Sequence, residues 1–162
     1  MKKLVTLACL VSLTFAAFAA GNLKADDCDI GKFNSKKEAK SGFTFVPAKG
    51  ISVEDKSKEP IKNGDVAYAK RIKLGGVEDS IQFSAKKGEV VKIVATSSSK
   101  DDAREVSLRN AAGKKIGTLK APAWNMASPK FTEGTIEIPA DGDYVVRGVS
   151  GGGLYIFEID VK

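Results

Sequence analysis

Trp124, the only tryptophan in the 162-residue sequence, stands beside Asn125 in a stretch punctuated by Pro122 and Pro129. A loop tryptophan stacks on a sugar ring or anchors a protein interface, because its rigid face is apolar while its ring nitrogen still donates a hydrogen bond. Arg104 follows the serine-rich run 97–99, and Arg147 lies in the penultimate strand-like segment. Both carry the planar donor fork that would complete a polar contact. Trp124, Asn125, Arg104 and Arg147 are therefore the candidate ligand-binding residues. The alternative for Trp124 is a ring folded back to cap one end of a sandwich. For either arginine it is a surface position or a pairing with a nearby acid.

Catalytic chemistry finds little support. The sequence contains no histidine, which removes the commonest general base, the Ser-His-Asp arrangement and the usual zinc ligand. Cys28 has no histidine to activate it as a nucleophile. A pair of carboxylates of the glycosidase kind is formally available among 20 acids, but most fall in turns or on outward strand faces. The expectation is a protein that is not an enzyme. Acid pairs such as Asp101 with Asp102, Asp141 with Asp143, and Glu78 with Asp79 offer oxygen ligands for calcium, yet none has the EF-hand spacing. No cofactor is expected; a structural calcium is the alternative, with Asp101 and Asp102 as its weak candidates. Gly151, Gly152 and Gly153 lie between two strand-like runs with no helix to follow, so they form a turn and not a phosphate cradle.

The start of the chain has the pattern of a targeting segment. Lys2 and Lys3 precede an apolar run over residues 4–15, and Ala17-Phe18-Ala19 supplies small residues for cleavage. Cleavage is expected after Ala19, with Ala20 or Ala25 as alternatives, giving a secreted or periplasmic protein with no membrane span once the segment is removed. A retained anchor is disfavoured by the 17-residue length of the apolar run 4–20 and by Ser12 and Thr14 within it. Neither Cys9 nor Cys28 has a lipidation context. The mature chain of 143 residues is one domain, and losing Lys2 and Lys3 lowers the net charge from +6 to +4. Its basic residues are scattered, so no nucleic-acid partner is expected, whereas attraction to acidic polysaccharide or an anionic surface fits. A single remaining cysteine cannot form an internal disulfide.

Residues 20–42 are polar and charged and read as an N-terminal arm, with a short helix over 35–40 as an option because Ser35 and Glu38 fit a capping box. From residue 43 to 162 the pattern is all-β. About nine or ten short strands recur with turns every 8 to 12 residues, which predicts a single β-sandwich with jelly-roll or Greek-key connections. Residues 90–95 are apolar on both faces, the mark of a central strand. The last strand, 154–161, places Tyr155, Phe157, Ile159 and Val161 on one face by strict alternation. Tyr68 and Tyr144 are also expected in the core.

Two segments carry a family resemblance: SIQFSAKKGEVVKIVATSSSKDDAREVSLRNAAGKKIG at 80–117 and GTIEIPADGDYVVRGVSGGGLYIFEIDV at 134–161. A Val/Ile strand, a serine-rich loop leading to Asp102-Ala103-Arg104, the Pro-Ala-Asp-Gly-x-Tyr turn at 139–144 and the Gly-Gly-x-x-Tyr-Ile run at 151–156 resemble the accessory, carbohydrate-binding-like β-sandwich domains of secreted bacterial polysaccharide-degrading enzymes such as pectate lyases. The turn at 139–144 is also similar to pre-peptidase C-terminal domains. The resemblance covers about residues 66–162 and implies a jelly-roll sandwich with a non-catalytic role. It departs from those enzymes in lacking an attached catalytic domain, and no family binding residue carries over. The expected function is an exported, non-catalytic protein binding polysaccharide or another glycan. The alternative is a structural or protein-interaction module of the cell envelope with an envelope protein as partner. The loops at 97–104 and 120–130 are the expected location of function.

Overall fold

The computed structural model describes residues 21–40 and 42–162; the expected targeting segment 1–19 lies outside the described residues. Fifteen strands follow in chain order: β1 (Asn22–Lys24), β2 (Gly31–Phe33), β3 (Lys37–Lys40), β4 (Phe43–Val46), β5 (Ile51–Asp55), β6 (Ile61–Asn63), β7 (Val66–Tyr68), β8 (Lys70–Leu74), β9 (Ser80–Ala85), β10 (Val90–Ser97), β11 (Arg104–Asn110), β12 (Lys115–Ala121), β13 (Thr135–Glu137), β14 (Gly142–Gly148) and β15 (Leu154–Val161). One sheet runs β13-β10-β15-β8-β5-β2, with β1 also paired to β15. The other runs β12-β11-β14-β9-β4-β3, and β6-β7 form a separate hairpin. From β8 to β15 the chain repeatedly crosses between the sheets, the antiparallel β-sandwich architecture that the turn spacing predicts, with jelly-roll connections. No helix among the described residues is long and apolar enough to cross a membrane.

The main core fills the space between the sheets. Ile72, Leu74, Ile93, Ile156 and Ile159 from the first sheet face Phe43, Phe45, Ile81, Phe83, Leu108 and Val146 from the second. Residues with the alternating inward positions of β9 and β11, Ile81 and Phe83 or Val106 and Leu108, land where period-two patterning places them.

The last strand departs from strict alternation. Between β10 and β15 the register shifts after Val94: Val94 faces Glu158, whereas Ala95 faces Ile156, leaving Phe157 as the extra residue of a bulge. A one-residue slip moves every later side chain to the opposite face. Ile159 and Val161 therefore enter the main core, while Tyr155 and Phe157 join a second cluster with Ile61, Tyr68, Val94 and Trp124. The four side chains expected on one face are split: the aromatic pair Tyr155 and Phe157 lies on the outer face of the sheet, and the aliphatic pair Ile159 and Val161 on the inner one. Tyr144 lies in the main core and donates its hydroxyl to the Ala140 carbonyl at 2.5 Å.

The polar arm expected over 20–42 is instead built into both sheets. β1 pairs with β15, β2 with β5 and β3 with β4. The optional helix over 35–40 gives way to β3, because pairing with an exposed strand edge satisfies backbone groups that a short isolated helix would leave to water. Few apolar residues are present, but Leu23, Ala25 and Cys28 are spaced to be buried. Cys28 is 2% exposed and unpaired. Burial, reinforced by the neighbouring Asp27 carboxylate, pushes its thiol up to about 11, which makes it a packing residue and not a reactive one.

Candidate functional site

The structure does not gather the four candidate residues into one site. Arg147 lies on the outer face of the β11-β14-β9 sheet, where its Nη1 donates to Glu78 Oε2 at 3.2 Å. Trp124 lies over the outer face of the other sheet, and Asn125 beside it in the chain is exposed. Arg104 is a clamp on the glycine turn that precedes β15. Its Nη1 donates to Ser98 Oγ at 2.9 Å and to the Gly153 carbonyl, and its guanidinium covers Gly152. The adjacent Gly153 packs too closely for a side chain: a Cβ there would collide with the Leu74 carbonyl oxygen and sit 3.1 Å from Ser98 Oγ. We expect Gly153→Ala to destabilise the protein by about 2 kcal/mol, measured as a lower urea midpoint at unchanged slope. An unchanged midpoint would refute this packing argument.

The loops expected to carry function do meet. Ser97 N donates to the Pro122 carbonyl at 2.8 Å and Trp124 N to the Ser99 carbonyl at 2.7 Å. Asn125 uses its side-chain oxygen locally, accepting from the backbone N–H groups of Ala127 and Ser128. Asp101 and Asp102 are exposed, and the Ser99 hydroxyl donates to Asp102 while accepting from both their backbone N–H groups. Among the described residues no three potential metal ligands converge, there or elsewhere.

Trp124 is 9% exposed and packs edge-on against Tyr155, at 5.3 Å between ring centroids, and in stacked orientation by Phe157 at 6.4 Å. Arg71, on the face of β8 that turns away from the main core, is buried against the same cluster. Its guanidinium sits 3.6 Å from the Tyr155 ring centre and 5.1 Å from that of Trp124, and Glu54 holds it through an ion pair at 2.7 Å. Tyr68 completes the cluster through the hairpin β6-β7 and donates its hydroxyl to Glu158 at 3.0 Å. Burial first, and then that carboxylate, pushes the phenol above its ordinary range. The tryptophan thus caps the outer face of a sheet, where the sequence offered one end of the sandwich or an exposed stacking face.

Beside this cluster lies an open cleft of about 760 Å³. Val94 and Thr132 are its buried residues, Phe131 and Asn63 line it half-buried, and Lys92, Lys120, Lys130 and Glu133 are exposed along it. Thr132 anchors the loop that forms one wall. Its N–H donates to the Ala95 carbonyl at 2.9 Å, and its hydroxyl accepts from Ala95 N at 3.1 Å and donates to the Ile93 carbonyl. Phe131 is held edge-on against Phe157 at 5.3 Å and tilted against Tyr68 at 6.4 Å. A partly open aromatic side chain, an amide and exposed cationic side chains in one cleft can stack on and hydrogen-bond to a small polar ring. The sequence reading named none of these as a binding residue. Lys120 and Lys130 lie within the flagged 120–130 loop, Phe131 directly follows it, and Lys92 is the lone charge on an apolar strand, but nothing local shows that they converge.

No family model matches the chain, and no curated protein matches it. Solved structures do. A family 6 carbohydrate-binding module from Clostridium stercorarium, in complex with cellobiose, matches at TM-score 0.50 and 12% identity, covering 87% of this chain and 92% of that one. A second family 6 module matches at TM-score 0.50 and 13% identity, over 89% and 94% of the two chains. A family 22 xylan-binding domain from Paenibacillus barcinonensis matches at TM-score 0.50 and 10% identity, over 89% and 96%. At these identities the shared property is the β-sandwich fold.

Proposed function

We propose that this protein is an exported, non-catalytic β-sandwich that binds carbohydrate in the cleft beside Phe131. The observation that carries the reading is the cleft itself: an open trough with an aromatic side chain in its wall, an amide at its side and a buried threonine holding the loop in place. The fold is shared with modules described as bound to cellobiose or as xylan-binding, which supports the same class of ligand here. The non-catalytic reading draws on the absence of histidine and on the buried, poorly ionised Cys28. Export draws on the charged, apolar and small-residue succession at the chain start. Acting alongside polysaccharide-degrading enzymes is the biological setting that fits.

Native affinity gels cast with a panel of neutral and acidic soluble polysaccharides test this. At least one polymer should retard the protein, and Phe131→Leu, which keeps apolar bulk but removes the aromatic face, should weaken that retardation roughly fivefold. Retardation by no polymer would overturn the proposal and favour an envelope-protein partner.

A further inference from the structure

The charge distribution around the cleft points to a narrower ligand class, and we infer that the cleft selects anionic glycans, polymers bearing carboxylate or sulfate groups; this rests on the carbohydrate reading above. Three lysines reach the cleft from three separate elements: Lys92 from β10, Lys120 from the end of β12 and Lys130 from the loop before β13. Glu133 is the only acid that lines it. The ion pairs among the described residues are Lys37–Asp29, Lys40–Asp27, Arg71–Glu54, Arg147–Glu78 and Lys162–Asp160, so no carboxylate engages any of the three. Their ammonium groups stay available to a ligand, and the cleft carries a local surplus of two positive charges.

Neutral sugars gain nothing from such a surplus. A charged polymer gains a modest, salt-screened attraction at each lysine, added to stacking on Phe131, which salt does not screen. Concentrating like charges along one trough also raises the local density of a polyanion before contact.

The same sheet face provides a control for bare charge. A second recess, of about 370 Å³, is lined by Lys32, Lys49 and Lys73 with no acid and no aromatic residue. Lys32 and Lys73 flank Ser52 directly in the register of β2, β5 and β8. If scattered positive charge alone attracted polyanions, this recess would serve as well as the cleft.

The deciding experiment is titration of the full protein by calorimetry and affinity gel with four polymers: a polyuronate, its methyl ester, dextran and dextran sulfate. Two triple variants accompany it, Lys92→Gln/Lys120→Gln/Lys130→Gln and Lys32→Gln/Lys49→Gln/Lys73→Gln, each checked by thermal melting. Glutamine keeps most of the stem and removes the charge. The expected result is binding of polyuronate or dextran sulfate that is about tenfold or more tighter than that of the uncharged partner polymer and weakens with salt. That binding should fall about tenfold or more in the cleft variant and stay within about twofold in the control variant. Equal binding of charged and uncharged partners overturns the anionic class while leaving the carbohydrate reading intact. Binding of no polymer overturns both. Equal loss in the two triple variants assigns the attraction to diffuse charge and overturns the site. Capture by phosphatidylserine vesicles that depends on the cleft lysines and exceeds polymer binding would make the target a membrane surface, and likewise overturns it.

Discussion

Asp79→Ala is expected to destabilise the protein by about 4 kcal/mol, lowering the melting temperature by roughly 10 °C or more at neutral pH. Asp79 is fully buried, and its carboxylate accepts four backbone hydrogen bonds. Oδ1 takes the N–H groups of Ala48 at 2.6 Å, Lys49 at 2.8 Å and Gly50 at 3.1 Å, and Oδ2 takes that of Gly76 at 2.8 Å. One side chain therefore ties the β4–β5 turn to the β8–β9 turn, and no backbone acceptor could serve four converging donors at once. Alanine leaves all four without a partner, at about 1–3 kcal/mol for each that water cannot reach. Asp79→Asn should be nearly as damaging, since its amide group directs donors at donors and the charge is gone.

The pH dependence follows from the same contacts. Burial raises the Asp79 carboxyl, but the four N–H donors more than offset it and hold the group below its ordinary value. With the folded value depressed, the contribution is fully present above the unfolded carboxylate range near 3.9 and is lost as pH falls through the folded value. Thermal melts from pH 7 to about pH 2.5 should show the gap between wild type and Asp79→Ala narrowing below roughly pH 4. Asp55, whose carboxyl is held down by the Ser57 backbone N–H, contributes equally to both proteins and cancels. A gap that stays constant across that range would refute the ionised role of Asp79.

What could be read from the chain alone separates along physical lines. Strands with clean alternation, β9 and β11, and the apolar β10 were legible because period-two patterning and two-faced burial are properties of one segment. The bulge in β15 was not, since every residue from 154 to 157 is apolar and the slip is defined only against Val94 and Ala95 of the partner strand. The burial of Arg71 is hidden for a related reason: alternation along β8 turns it away from the main core, but Trp124, which covers that face, belongs to a loop remote in sequence. The N-terminal strands were hidden by their polarity, because edge pairing satisfies the backbone without needing many apolar side chains. The cleft was least legible of all. Lys92, Lys120 and Phe131 belong to three elements, and their meeting exists only after β13 pairs with β10 and Thr132 fastens the loop to Ile93 and Ala95.

The same folding-back decides what Trp124 does. Trp124→Ala is expected to destabilise the protein by about 3 kcal/mol while leaving glycan affinity, measured well below the melting temperature, within about twofold of wild type. The ring buries nearly all of its surface against Tyr155 and Phe157 and covers the Arg71 guanidinium. Removing it opens a cavity next to a buried cation whose only carboxylate partner among the described residues is the half-buried Glu54. Part of the cost is lost apolar contact and part is lost cation–π attraction at Arg71. Trp124→Phe keeps a ring over Tyr155 and should recover more than half of the loss. A tryptophan whose purpose is to stack on sugar behaves in the opposite way, because exposed binding aromatics can be truncated with little effect on folding and a large effect on affinity. Urea unfolding and affinity-gel retardation on the same two variants separate the cases. Unchanged stability with abolished retardation would return Trp124 to the binding surface and remove the structural role assigned to it here. Lost stability with retained retardation places recognition in the neighbouring cleft and confines the Trp124–Arg71–Tyr155 stack to holding the fold together.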